Sequence, residues 1–589
     1  MRKVEQNKRD IIIVATLSII VFFVCFYRIS YRYGIFLPHD EFALFGIAAY
    51  LSGYDWSAAV SGLHYYSFGY SLLLTPLFMI ADSAVVAYRY SMVLNSVFAA
   101  GIVPIAFFLC KKWGIEGLKG NIVIAFGVLA AILTGDLIAY TSLGFGEVLL
   151  TFLMFATLLC FYKIQENAPK SLWFCLLALL LGFQFMVHMR TIGVLIASVL
   201  TILLMTALRK ISIKNFIIFF GTLALLLLIR TVIEENIQPN LWLDTTPANT
   251  LDDRVGRFTR SITRLDRIIG TLRTLGGHLF YLGVASFSLI FFALHKLASA
   301  NISFFRNLKK TWRNTDFDFA LMFMLLAFLG TLAISAFALN SPSRGDHFVY
   351  GRYNTPVFPA LFLYIFVQIL IGNYKFSKAT VIIFTAFALL SGWVAFYFIQ
   401  NFSDFPYAHF GTIALVAHHE YTNRAGSEFL PFLSAFLISA FIGFVIIFVQ
   451  KIMTAKRKDT IATVHVYKQY IISIVCIICI VISVTNASAF YNADPANWDS
   501  FSKEMNSLTA QIPDDATVYI LNPPSYMFSI LQFELFKNTL HHAASYTDLP
   551  NGGFYLFLDD GQRAVIQQYL YTHGTYLDSF ATWNLYRIS

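Results

Sequence analysis

Three residues that could do chemistry stand in a row inside GIFLPHDEFALFG: His39, Asp40 and Glu41, flanked on both sides by apolar sequence. If a helix begins near Pro38, both carboxylates fall in its first turn, where the positive end of the helix dipole favours anions and Asp40 could serve as a cap. Neighbouring residues on a helix project about 100° apart. One carboxylate can therefore face a cavity while the other braces it.

A third acid, Glu147, follows in YTSLGFGEVLL at the start of another apolar run. A carboxylate within a membrane helix costs about 2.5 to 3.5 kcal/mol by insertion measurements, so it faces a cavity or a partner. A salt bridge to an arginine and a catalytic or metal role both remain open for Glu147. Arg190 in HMRTIGVL and the run SPSRGDHFVYGRYNTPVFPAL, with Arg352 and Tyr353, bring cations toward the same end of their segments. A guanidinium fork pairs bidentately with phosphate, which an ammonium cannot do.

The elements that must position these groups are membrane helices. Of the 589 residues, 58% are hydrophobic and 13% charged, and this composition belongs to a multispanning chain rather than a water-soluble globule. The net charge of +9 falls mostly in short loops, as the positive-inside rule expects, which excludes nucleic acid as partner. The six cysteines lie in or beside apolar runs without metal-ligand spacing and read as small core hydrophobes.

Apolar windows give about thirteen helices, starting near residues 11, 85, 120, 143, 171, 191, 216, 279, 319, 355, 379, 431 and 469. The expected fold is an all-α polytopic membrane domain, 1–487, with a small α/β domain over 488–589. The N-terminus is expected in the cytoplasm, the first apolar run being a retained span, and the C-terminal domain outside. Two long outer connections, 28–84 and 234–278, interrupt the spans. The second contains DDRVGRFTRSITRLDRIIGTLR, where Arg257, Arg260 and Arg264 recur at helical spacing beside an apolar stripe. An interfacial helix meeting anionic lipid and a substrate clamp are both consistent with it. In the tail, ATVYIL, GFYLFLD and WNLYRI read as strands and DGQRAVIQQYLYTH as helix.

The adjacent acids Asp40 and Glu41, the YYSFGYSLLLTPLF segment after them, Glu147, MRTIG and GRYNTPVFPAL together resemble the GT-C superfamily of integral-membrane glycosyltransferases. The resemblance spans roughly residues 10 to 400, and the tail matches nothing recognisable. It implies a polyprenyl-phosphate-linked sugar as donor, and a lipid, polysaccharide or protein of the cell envelope as acceptor. Transfer would occur with inversion at the outer face of the plasma membrane. It implies Asp40 as catalytic base, with Glu41 beside it, and the proximity of Glu41 and partial burial would raise the pKa of Asp40. Arg352, Arg190, Arg257, Arg260, Arg264 and Tyr353 would hold the departing phosphate. Some members use a divalent cation, for which His39, Glu147, His418 and His419 are candidate ligands. The sequence departs from the family in lacking a WWD-type motif and MIR-like repeats. Two other readings fit a chain of this kind: a polysaccharide polymerase or ligase, and a lipid-linked-sugar flippase or transporter, although no internal repeat of the transporter type is visible.

Overall fold

The structure is a computed structural model. It describes residues 2–589 except 38, 115–117, 167–168, 244–249, 251–254, 257–258, 260–262, 312–316, 342, 375, 403–408, 423–426 and 456–460. All thirteen expected starts fall on or beside helices, but these are of three kinds. Among the described residues, nine helices are long and apolar enough to cross a membrane, and up to eleven spans result if two bent pairs are each taken as one. The starts near 171 and 355 belong to shorter helices, Ser171–Val187 and Phe358–Leu370. At 1.5 Å per residue the thirteen residues of the latter reach only about 20 Å, short of the hydrocarbon thickness.

The chain is thus a multi-pass membrane protein, and its surface agrees. Large apolar side chains such as Ile11, Leu228, Leu389, Phe396 and Phe441 stand exposed along the helices, where lipid rather than water is the solvent that tolerates them. Helix starts are set locally: Ser83, Ser212 and Asp318 accept backbone hydrogen bonds as caps, and Ser377 with Thr380 forms a capping box. One bend has a visible cause. Helix Leu265–Ala285 turns by 110° into the next helix through Phe287 and Ser288, both with positive φ, and Ser288 N closes onto the Gly283 carbonyl. Helix Leu265–Ala285 takes over the last part of the arginine-rich segment, so the element expected from residue 279 starts fourteen residues earlier.

The long connection between the first two expected spans is itself built of helices. Asp40–Leu51 and Gly69–Ile80 pack against one another, and Gly69 abuts the backbone of Met186 and Val187 so closely that a Cβ would lie 2.5 Å away. Only glycine allows that approach. The contact brings the residues just before helix Gly69–Ile80 against the turn that follows helix Ser171–Val187.

The tail forms a five-stranded sheet in the order β2-β1-β3-β5-β4, from Val518–Leu521 (β1), Leu540–Ala543 (β2), Phe554–Asp559 (β3), Gly574–Phe580 (β4) and Trp583–Ile588 (β5). β1 runs parallel to β2 and β3, and β5 antiparallel to β3 and β4. β1, β3 and β5 are the strands read from the sequence. β2 has only four residues, and β4 is an edge strand with no fully buried position, so neither carries a strong apolar alternation. Helix Ile461–Asn492 runs past the expected boundary at 487 before helix Asp494–Thr509 begins the tail. The tail is docked on the Asp40-bearing connection: Arg32 pairs with Asp499 at 2.8 Å, Trp56 Nε1 donates to the Phe536 carbonyl at 3.2 Å, and Phe45 meets Phe533 edge-on.

Candidate active site

Four segments distant in sequence meet around Asp40. Its helix begins at Asp40 itself, after His39, with Asp40 and Glu41 both in the first turn. Asp40 Oδ2 lies 2.6 Å from Arg352 Nη1, and Oδ1 accepts a short hydrogen bond from Tyr66 Oη. Arg352 turns its Nε to Glu147 Oε1, and Arg190 Nη2 reaches that same oxygen at 2.9 Å. Two carboxylates and two guanidiniums therefore form one alternating, charge-balanced chain, Asp40 to Arg352 to Glu147 to Arg190.

Only the Asp40 end of this chain is partly open. Its side chain is 24% exposed, whereas those of Glu147 and Arg190 are 2% exposed and that of Arg352 5%. Aromatic faces clamp the cations. Arg352 lies over Phe145 at 4.3 Å and Phe410 at 4.9 Å, and Arg190 over Tyr353 at 4.6 Å. His188 accepts the Arg190 backbone N–H and sets its ring against both Tyr66 and Tyr353. Arg190 keeps Nε and Nη1 without a hydrogen-bond partner among the described residues. Buried donors are rarely left so.

Glu41, expected beside Asp40 as a catalytic group, points elsewhere. It is wholly buried, and its Oε2 accepts from the backbone N–H groups of Phe36 at 2.6 Å and Leu37 at 2.7 Å. Its Oε1 accepts from Tyr88 Oη at 2.7 Å and from Gly144 N. With these four donors Glu41 ties the loop ahead of Asp40 to the SLGFG turn ahead of Glu147, which fixes the spacing of Asp40 and Glu147. Gly144 is required there, because a Cβ would lie 2.4 Å from the Phe45 ring. Burial raises the Glu41 pKa more than its hydrogen bonds lower it.

The expected upward shift of Asp40 is reversed. Burial does push its carboxyl up, but the Arg352 charge and the hydrogen bonds from Tyr66 and Arg352 outweigh burial and hold it below the usual carboxylate range. A second charged group lies across Tyr350 and Phe410: Asp346 contacts His409 Nε2 at 3.3 Å and Arg344 Nε at 3.1 Å. Burial lowers the His409 pKa to about 4, so its imidazole is neutral at pH 7.

The cation ligand set is not assembled. His39 is exposed, both free corners of Glu147 Oε1 are taken by guanidiniums, and His418 and His419 sit on helix Ile413–Thr422, with His418 bonded to Ser434. Among the described residues no three His, Cys, Asp or Glu side chains are grouped to hold a metal ion. As placed, these residues do not group around a divalent cation, and Glu147 pairs with Arg190 and Arg352. Of the expected phosphate ligands, Arg352, Arg190 and Tyr353 are at the site. Arg264 is exposed and paired with Asp266, and Arg257 and Arg260 lie outside the described residues. Tyr66, Phe145, His188 and Phe410 belong to the site without having been singled out. The YY pair at 65–66 and the aromatic residue inside GFG were the available signals, diluted in a chain with 60 phenylalanines and 31 tyrosines.

No family profile and no curated protein matches the sequence. The arrangement in space does have counterparts. ArnT from Cupriavidus metallidurans in the apo state superposes with a TM-score of 0.52, covering 99% of this chain and 98% of its own at 11% identity. The same protein bound to undecaprenyl phosphate gives 0.51, with 98% and 97% covered, again at 11% identity. The chain has the ArnT fold. The ArnT-like architecture extends over the tail as well as the helical domain, so the tail, which resembles nothing by sequence, is part of the common fold rather than an addition.

Proposed function

We propose that this chain is a GT-C membrane glycosyltransferase that moves a sugar from a polyprenyl phosphate to an acceptor hydroxyl at the outer face of the plasma membrane. The observation that carries the reading is the Asp40–Arg352–Glu147–Arg190 chain, in which one carboxylate is partly open and the cation next to it is locked in place. The fold adds support, since ArnT with the same architecture has been seen holding undecaprenyl phosphate.

In this mechanism Asp40 Oδ takes the proton of the acceptor hydroxyl as that oxygen attacks the anomeric carbon. The bond to the phosphate oxygen breaks on the opposite side, so configuration inverts. Tyr66 and Arg352 keep Asp40 ionised and fix its rotamer, and Glu41 acts as a positioning residue for the loop that carries it. The departing phosphate needs fixed positive charge. Arg190, with two uncommitted donors, and Arg352 supply it without reorganisation, because Glu147 and the aromatic faces already hold them. Tyr353 shields Arg190. No step uses a metal ion. The sugar and the acceptor, whether lipid, polysaccharide or protein, are open to assay.

The test is release of polyprenyl phosphate from a panel of polyprenyl-phosphate sugars by purified protein in nanodiscs with cell-envelope acceptor. Asp40→Asn should lower the rate by about 10²- to 10⁴-fold, the usual contribution of a general base, while leaving the protein folded. Full activity in that variant would remove Asp40 as base. Absence of release from every donor in the wild type would shift the reading to a flippase.

A further inference from the structure

A cavity of about 290 Å³ lies away from the Asp40 cluster, between the ends of helices Arg2–Phe26 and Ile461–Asn492 and the first helix of the tail. It shares no residue with that cluster. Arg28, Arg32, Tyr33, Tyr491, Asp499 and Lys503 are in its wall. Three cations thus face one carboxylate, and that carboxylate is already engaged by Arg32 Nη1 at 2.8 Å and by the Tyr33 backbone N–H at 3.4 Å.

Among the described residues the remaining positive charge has no carboxylate paired to it in an ion pair. Arg32 is 2% exposed and keeps Nη2 without a hydrogen-bond partner among the described residues. Arg28 and Lys503 make no ion pair among the described residues; Arg28 rests on Tyr491 at 4.9 Å and Lys503 over Tyr33 at 5.7 Å. Aromatic faces hold cations in place but leave their N–H groups free to donate. An unsatisfied buried guanidinium edge is costly unless an anion meets it. The volume is at the small end of ligand pockets, suited to a headgroup rather than a whole lipid. Both helices that frame it are candidate membrane spans ending at this level, with Tyr31 and Tyr491 in the position of interfacial aromatics.

We propose that this cavity is a second, non-catalytic phosphate-binding subsite, which seats a terminal phosphate group, either the headgroup of an anionic membrane lipid or free phosphate, and by doing so ties the tail to the first and last helices. Arg32 and Arg28 donate to the phosphate oxygens and Lys503 closes the solvent side.

The test reads occupancy without activity. Full-length protein in phosphatidylcholine nanodiscs, with and without phosphatidic acid, is pulsed with an amine-acylating reagent, and modification of Lys503 is followed by mass spectrometry. Lys537, which is exposed elsewhere in the tail and paired with Asp514, is the internal control. Phosphatidic acid should slow acylation of Lys503 and leave Lys537 unchanged. Arg28→Gln and Arg32→Lys should each raise the half-protecting lipid concentration about tenfold or more. Inorganic phosphate in phosphatidylcholine nanodiscs separates the sources: protection by it assigns free phosphate, and protection by phosphatidic acid alone assigns a lipid headgroup. If neither slows acylation of Lys503, or if Arg28→Gln retains full protection, the proposal is wrong. The Arg28 variant decides the matter even if Arg32→Lys loosens the Asp499 pair.

Discussion

Arg352→Lys separates charge from geometry at the centre of the site. Arg352 uses two different nitrogens, Nη1 to Asp40 at 2.6 Å and Nε to Glu147, while its plane lies between Phe145 and Phe410. A lysine ammonium is a single point on a flexible stem and cannot sit at both carboxylates. The substitution therefore keeps the charge and loses one charge-assisted hydrogen bond, worth about 1.5 to 3 kcal/mol. Glu147 retains Arg190 at 2.9 Å and Asp40 retains Tyr66, so the fold should survive. If the transition state uses the fixed fork, kcat/KM for the polyprenyl-phosphate sugar falls by about ten- to 150-fold. The assay is polyprenyl phosphate release in nanodiscs with donor varied, alongside thermal unfolding of the same sample. Unchanged kcat and KM in a folded variant would refute the argument, since a bare positive charge would then suffice. A fall in unfolding temperature large enough to account for the lost rate would assign Arg352 to stability instead.

Glu41→Gln replaces two acceptor oxygens with one and sets an amide NH₂ against backbone N–H groups, so at least one buried donor is orphaned at about 1 to 3 kcal/mol; thermal unfolding should register it, and an unaltered melting profile would contradict the bracing role. Tyr66→Phe removes a hydrogen bond that lowers the Asp40 pKa, so the acidic limb of the pH profile of kcat/KM should move upward, while in the wild type Asp40 stays ionised down to below the ordinary carboxylate range. For stability the sign is the usual one for a lowered carboxylate: the contribution of Asp40 is present above its unfolded value near 4 and is lost as pH falls through the lower folded value. Glu534, buried where the tail meets Gly34 and with Oε1 unpartnered among the described residues, behaves oppositely: burial raises its pKa to about 8 against the Asn506 hydrogen bond, so its stabilising contribution is complete below about 4.5 and is lost as pH rises through about 8. Glu534→Gln should flatten that decline in unfolding temperatures measured between pH 5 and pH 9.

The sequence determined a good deal by itself. The apolar windows located the helices because lipid imposes a length and a composition on anything that crosses it, and no long-range contact is needed to read them. Asp40 stood out for a related reason, since acids are expensive in such surroundings. Three of five tail strands were legible from their apolar, aromatic and β-branched runs. Pairings that join distant segments were decided only by the tertiary structure. That Glu147 pairs with Arg190 and Arg352 follows from segments around residues 147, 190 and 352 converging, which spacing in the chain does not encode. Asp40 and Glu41, identical in chemistry and adjacent in sequence, part company because Glu41 meets Phe36, Leu37, Tyr88 and Gly144, whereas Asp40 meets Tyr66 and Arg352 at a partly open edge. The direction of the Asp40 pKa shift was likewise beyond the sequence. Burial and the neighbouring acid argued for a rise, and only the folded chain puts Arg352 close enough to reverse it, because the Coulomb energy of a pair depends on a distance that the order of residues does not supply.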